Sequence, residues 1–315
     1  MALFLTEDNV QELLPMKDAI KAVEKGFIEQ GNGTAANLHR SRVQAGEVGI
    51  TMMVAALGAR KISGFKCMGV GGSMVHLYDG EKNQLLAVLE ARALGQIRTG
   101  AASALATRFM SPQNASSVGL IGTGHQAETQ LAGTCAVRPI TRALAYSRTP
   151  ERLESFCQKM SRTLDIEVSP ATSAQEAVAN SDIVIAITNV RTLDPILLGK
   201  WINPGQHLVA AGANSIDRRE IDDEVVARCS LIVTDARDQA QLECADLAIP
   251  IGKGIWDWEN VWELGQIVTG QIRGRTASNQ ITLYESQGIA LEDVAVADFI
   301  FQQAMANGVG KELPF

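Results

Sequence analysis

The stretch that most constrains this chain is Val118-Gly-Leu-Ile-Gly-Thr-Gly-His-Gln-Ala-Glu-Thr-Gln130. Val118, Leu120 and Ile121 form a short apolar run after the polar, turn-rich Ser111–Ser117, which predicts a buried parallel strand. Gly122 and Gly124 follow, and a helix without Gly or Pro is expected until Gly133. Strand, glycine turn and helix together lay a dinucleotide pyrophosphate on a helix N-terminus. Gly122 permits the tight turn, and Gly124 lets the backbone approach the phosphates. Ala127 stands where the fingerprint has its third glycine, a position that needs only to be small. The spacing by itself is a weak signal, and its placement between strand and helix makes it specific.

The segments that follow alternate in the same way. Arg142–Tyr146, Ile166–Val168, Asp182–Thr188, Leu208–Gly212 and Leu231–Asp235 read as further strands, with helices over Glu151–Met160 and around Ala174–Ala179. This predicts an α/β fold with a doubly wound Rossmann dinucleotide-binding domain over residues 114–283. Upstream, the first 30 or so residues read as helical, the second helix spanning Met16–Glu29. Strand material follows within Leu38–Val54, then at Gly64–Met68, Met74–Tyr78 and Leu85–Leu89, with an Asp79-Gly80 turn between the last two. These segments predict a separate α+β antiparallel-sheet domain over residues 1–113. A small-residue helix, Arg92–Phe109, leads out of it, and the tail Thr282–Ala306 reads as one long helix that returns 284–315 to that first domain.

At 315 residues the chain is long enough for two cores, and its net charge of −7 gives no support for a nucleic-acid-binding surface. Cys67, Cys135, Cys157, Cys229 and Cys244 are scattered, with no C-x-x-C and no metal-ligand spacing, which fits reduced thiols and no metal site. Glu7 and Asp8 stand where a signal peptide would be basic, and no apolar run reaches membrane-spanning length. A cytoplasmic protein that needs no membrane is expected.

The end of the second Rossmann strand selects between nicotinamide cofactors. An acid roughly 20 residues past the glycines would hold the ribose 2′-hydroxyl of NAD. Tyr146-Ser147-Arg148-Thr149 occupies that place, with no carboxylate until Glu151. Arg148 can clamp a 2′-phosphate bidentately, assisted by the hydroxyls of Ser147 and Thr149, so NADP(H) is expected in preference to NAD(H), which stays possible.

Two cations upstream sit in unusual places. Lys66 lies within an apolar strand before the glycine-rich Gly69-Val-Gly-Gly72, and Arg98 lies just inside the small-residue helix. For either one alone, a solvated surface charge is the better reading. The blocks Gly64-Phe-Lys66, Ile97-Arg-Thr-Gly-Ala-Ala-Ser-Ala-Leu-Ala106, Gly122-Thr-Gly-His-Gln-Ala127, Ser147-Arg-Thr-Pro-Glu-Arg152 and Ile281–Asp293 together resemble the ornithine cyclodeaminase/mu-crystallin family, in order and through nearly the whole chain. The resemblance implies a homodimer built through the antiparallel domain, which also binds substrate, and a substrate site between the two domains at the nicotinamide. It implies that Lys66 is the catalytic lysine and that Arg98 holds the substrate carboxylate. Arg40 or Arg42 would be the second carboxylate-binding arginine, Arg40 fitting slightly better. Thr99, His125, Gln126 and Thr188 fall where the family touches the cofactor, and Arg218 falls where a basic residue lies beside it.

Three departures from the family pattern stand out. Cyclodeaminases, and an archaeal alanine dehydrogenase of the family, carry an aspartate where Gly212-Ala213 is followed here by Asn214, which cannot act as a general base. Thr51 stands where cyclodeaminases carry a carboxylate for the distal amine of ornithine. The segment between Lys66 and Met74 is shorter than the family's His-Pro-containing loop, which puts the size of the pocket in question. The preferred reading is an NAD(P)H-dependent reductase of a cyclic ketimine or α-imino acid, working reversibly as an amino-acid dehydrogenase. A cyclodeaminase with retained NAD and a crystallin-like NADPH- and ligand-binding protein are the alternatives. Pyrroline-2-carboxylate, piperideine-2-carboxylate, pyruvate with ammonia or methylamine, and iminosuccinate all stay open as substrates.

Overall fold

The computed structural model describes residues 2–314. Its first unit is the chain up to Ala102 together with Gly288 onward. There β1 (Ala2–Leu5), α1 (Glu7–Leu13) and α2 (Met16–Gly31) precede a meander of β2 (Ala35–Ala45), β3 (Val48–Leu57), β4 (Ile62–Gly69), β5 (Gly72–Asp79) and β6 (Gln84–Glu90). The chain then enters α3 (Arg92–Met110). Alternation with period two buries Ile62, Gly64 and Lys66 of β4, with Val75 and Leu77 of β5, on the face covered by the C-terminal helix, Ala290–Asn307. Gly64 is small because a Cβ there would press on the His76 carbonyl oxygen at 2.6 Å and on Val294 at 3.1 Å.

Two helical expectations fail. Ala2–Leu5 is a strand, parallel to β6 and antiparallel to Lys311–Leu313, so one parallel pair joins an otherwise antiparallel sheet. The run is apolar throughout and too short to form a helical face, and pairing on both edges satisfies its backbone. Thr282–Ala306 is likewise not one helix. Thr282–Glu285 is a fully buried strand, and Gly288 at φ +71° turns the chain before the helix begins at Ala290. The short segment after Lys66 becomes a two-residue hairpin, Val70-Gly71, with Gly69 paired to Gly72.

The second unit, Ser103–Gln287, holds β7 (Ser117–Ile121), α4 (His125–Val137), β8 (Arg142–Tyr146), α5 (Pro150–Leu164), β9 (Glu167–Pro170), α6 (Ala174–Ala179), β10 (Ile183–Ala186), β11 (His207–Ala210), β12 (Leu231–Thr234), β13 (Val261–Glu263) and β14 (Thr282–Glu285). They form one parallel sheet in the order β13-β12-β14-β11-β10-β7-β8-β9. Strands β7, β10, β11, β12 and β14 are buried at every residue, as strands covered on both faces must be. Between β12 and β14 the chain also forms helices Arg237–Glu243 and Ala245–Gly252. No described helix is long and apolar enough to cross a membrane.

Candidate active site

In the first unit, the alternation of β4 places Lys66 at a core position, where it is 4% exposed. A buried ammonium needs a partner. Lys66 Nζ donates to Asp293 Oδ1 at 3.1 Å, and Arg98 Nε donates to the same oxygen at 3.0 Å. Arg98 Nη1 donates to Glu292 Oε2 at 2.8 Å. Both carboxylates are fully buried in the first turn of the C-terminal helix, where the helix dipole favours anions. Asp293 Oδ2 is buried and finds no donor among the described residues.

Two glycines make room for these cations. A Cβ on Gly95 would stand 2.7 Å from Lys66 Nζ, and one on Gly288 would stand 2.6 Å from Arg98 Nη1. Arg40 Nη2 donates to the Gly288 carbonyl oxygen at 2.9 Å, so both guanidinium groups bracket one residue. Arg40 reaches it from a β-bulge: Leu38 pairs with Val54 and Ser41 with Met52, so His39 and Arg40 together face Met53. Bulges re-aim side chains in this way. Arg42 lies past the bulge, exposed and paired in register with Thr51. Thr99 is buried beside the array, its hydroxyl donating to the Gly95 carbonyl at 2.7 Å.

Burial lowers the Lys66 pKa and Asp293 pulls it back up. Arg98 and Arg40 lower it further, and the balance lies below an ordinary lysine. Burial pushes the Asp293 carboxyl up, but Arg98 and Lys66 outweigh that and hold it below the usual aspartate value. Three cations, Lys66, Arg98 and Arg40, thus gather around two carboxylates, Asp293 and Glu292. Two guanidinium groups and an ammonium so gathered suit a carboxylate ligand.

In the second unit, β7 and β10 are neighbours whose onward connections run to opposite sides of the sheet, the switch point at which open α/β sheets bind ligands. A cleft of about 790 Å³ opens there, lined by Gly122, Gly124, Ser147, Arg148, Thr149 and Thr188, among others. Gly122 has φ +106°, and a Cβ on it would lie 2.3 Å from the Ile187 carbonyl oxygen. At Gly124 a Cβ would meet nothing within 4 Å. Gly124 caps α4 without a side-chain hydrogen bond, leaving the helix N-terminus open to an anion. The residues present therefore fit a dinucleotide.

Ala127 is fully buried in the first turn of α4, as the fingerprint requires, and Gln126 keeps a buried Oε1 with no donor among the described residues. His125, Gln126, Ala127 and Arg218 do not line this cleft, and His125 is exposed on the first turn of α4. Arg218 pairs loosely with Asp217 at 3.7 Å. Asn214 is half-buried, two residues past Gly212 in the connection after β11. Arg152 and Arg191 join Arg148 on the cleft, all three exposed.

Sequence reasoning gave no role to Asp293, Glu292, Gly95, Gly288, Arg152, Arg191 or Glu220. A usable signal existed for the two acids. Ala290-Leu-Glu-Asp-Val-Ala-Val-Ala297 is otherwise apolar on every face, which marks a buried helix, and acids inside one must be paired.

The family model for the ornithine cyclodeaminase/mu-crystallin family matches residues 1–308. A Delta(1)-pyrroline-2-carboxylate reductase of Bacillus cereus is 33% identical over 243 residues, 77% of this chain and 74% of that protein. The structure of Thermococcus litoralis Delta(1)-pyrroline-2-carboxylate reductase with NADH and L-proline superposes with TM-score 0.92 at 32% identity, covering 99% of this chain and 100% of that one. An archaeal alanine dehydrogenase dimer with bound NAD gives TM-score 0.91 at 28% identity, over 100% of this chain and 99% of the other.

Proposed function

The chain belongs to the ornithine cyclodeaminase/mu-crystallin family, and from that premise we propose that it reduces a small cyclic ketimine carboxylate to the L-amino acid, with Δ1-pyrroline-2-carboxylate the best-supported substrate. The observation that carries this reading is the buried array of Lys66, Arg98 and Arg40 around Asp293 and Glu292. Its two guanidinium groups suit a carboxylate, and its ammonium can deliver a proton. A bound reduced nicotinamide supplies the hydride. Arg98 and Arg40 hold the substrate carboxylate and fix where the imine carbon lies. Lys66 protonates the imine nitrogen as the C=N π pair moves onto it, which makes the carbon the better electrophile. One C–H and one N–H bond form, and the product is the amine.

Asn214 and Thr51 support reduction over cyclodeamination. Neither can carry a proton or pair with a distal ammonium, and reduction of a preformed imine needs neither service. The cofactor of this reading is NADP(H) in preference to NAD(H), on the strength of Arg148 with Ser147 and Thr149, and of Arg152 and Arg191 on the same cleft. The protein is a cytoplasmic homodimer in the same reading. Leu38, Val43, Val48 and Ile50 lie exposed on β2 and β3 of the antiparallel sheet, apolar surface that a second copy would cover.

The deciding experiment follows NADPH and NADH oxidation with pyrroline-2-carboxylate, piperideine-2-carboxylate, pyruvate with ammonia or methylamine, and iminosuccinate. The five-membered cyclic imine should turn over fastest. Ammonia release from L-ornithine without net loss of reduced cofactor would replace this reading with a lyase.

A further inference from the structure

We propose that Asp293 is the positioning residue that fixes the Lys66 ammonium and sets the pH at which that proton donor is lost. The inference rests on the reductase reading and adds to it a residue that the reaction itself does not require. Lys66 Nζ and Arg98 Nε converge on the single oxygen Oδ1, at 3.1 and 3.0 Å. Glu292, the preceding residue, takes Arg98 Nη1 and so holds the guanidinium against that oxygen. Gly95 has no side chain that would displace the ammonium from this place.

Lys66 is 4% exposed, and burial alone drives a lysine toward its neutral form. The charged groups that face it come from three elements: Asp293 from the C-terminal helix, Arg98 from α3 and Arg40 from β2. Glu292, beside Asp293, accepts from Arg98 Nη1. The two guanidinium groups add to the effect of burial, and among the described residues Asp293 is the anion that opposes them. A carboxylate held below its usual pKa by Arg98 and Lys66 stays ionised through the neutral range. Removing that charge would release the Lys66 proton at lower pH.

The sign of the effect is fixed. Reduction needs protonated Lys66, so kcat is full below the Lys66 pKa and falls as pH rises through it. Asp293→Asn keeps an oxygen able to accept from both cations and deletes the charge. The alkaline limb of kcat for pyrroline-2-carboxylate should move down by about one pH unit or more, the usual worth of a neighbouring opposite charge. Asp293→Glu, which restores the charge, should return the limb toward that of the wild type. The same substrate is used throughout, so its own ionisation cancels. A merely structural role would lower kcat by one factor at every pH. An unmoved limb in Asp293→Asn would therefore overturn the proposal. Where that variant does not fold, ¹⁵N NMR of the Lys66 side chain in the wild-type protein reads the proton directly. It should be charged at neutral pH, and a neutral amine there refutes the proposal. The NMR titration also separates two failures, because it stands even if no imine in the panel is reduced.

Discussion

Glu220 accepts hydrogen bonds from both the amide and the hydroxyl of Thr188, at 2.6 and 2.7 Å, through one carboxylate oxygen. Its other oxygen accepts from the Gly212 amide at 2.7 Å. Thr188 follows β10 and lines the dinucleotide cleft, and Gly212 follows β11, so one fully buried side chain ties the two connections together. Burial pushes the Glu220 carboxyl up, against the pull of its Thr188, Gly212 and Ala211 donors. Nothing larger than glycine fits at position 212, where a Cβ would lie 2.4 Å from the Thr188 carbonyl and 2.5 Å from Glu220 Oε1.

The first expectation follows from that clamp. In Glu220→Gln an NH₂ group replaces one acceptor and confronts at least one backbone N–H donor. Leaving a buried donor unsatisfied costs about 1–3 kcal/mol. NADPH should bind about tenfold more weakly in fluorescence titration, with kcat at saturating cofactor much less affected. Unchanged cofactor affinity would show that Thr188 is held by other means.

The two fingerprint glycines should separate fold from function. Gly122→Ala puts a methyl group 2.3 Å from the Ile187 carbonyl at φ +106°, and both folding stability and cofactor binding should fall. Gly124→Ala meets no protein atom within 4 Å. Its Tm should match the wild type, within about 0.5 kcal/mol of stability, while NADPH affinity drops by about tenfold or more as the methyl group enters the space kept for the pyrophosphate. A Gly124→Ala protein that binds NADPH normally would mean that the phosphates do not approach there.

These glycines were legible in the sequence because their demands are local: a tight turn, then a helix that begins with an open N-terminus. Lys66 was legible only as a charge within an apolar strand, which alone reads better as a surface position. The family resemblance rather than the strand pattern gave it a role, and the structure buries it. Its partner was hidden, since Asp293 lies 227 residues further along and no local pattern records which buried acid meets which buried base. Arg40 and Arg42 could not be separated by spacing, because a β-bulge breaks the period-two count between Leu38 and Ser41. Strand β14 was read as helix because Thr-Leu-Tyr-Glu lacks a run of consecutive apolar residues. Its place between β11 and β12 is decided by burial on both faces, which the tertiary structure alone supplies.

In the proposed reading, cofactor choice rests on Arg148 at the end of β8, exposed on the cleft with no acid beside it before Glu151. NADPH should bind at least tenfold more tightly than NADH, about 1.4 kcal/mol, a modest demand on one charge-assisted phosphate contact. Arg148→Ala should erase most of that difference and leave NADH nearly unaffected. Residual preference would then fall to Arg152 and Arg191, which share the cleft. Equal losses for the two cofactors would assign Arg148 to the part of the dinucleotide they have in common.

In the proposed reading, the reaction's direction turns on Lys66 and Asn214 together. Lys66→Met keeps the length of the side chain and removes the proton, and it leaves Asp293 to Arg98 alone. Imine reduction should lose on the order of 10²-fold or more in kcat, the usual worth of general acid catalysis. NADPH binding should be spared, because Lys66 is not among the residues that line the dinucleotide cleft. Asn214 cannot take a proton from water, so the wild type should be a poor oxidative deaminase. Asn214→Asp supplies the missing base, and the ratio of L-alanine oxidative deamination, which consumes water, to pyrroline-2-carboxylate reduction, which does not, should rise in that variant. Should the ratio fall or stay fixed while Lys66→Met remains inactive, Lys66 would be the only proton-transfer group the chemistry uses, and the identity of residue 214 would not explain a reductive bias.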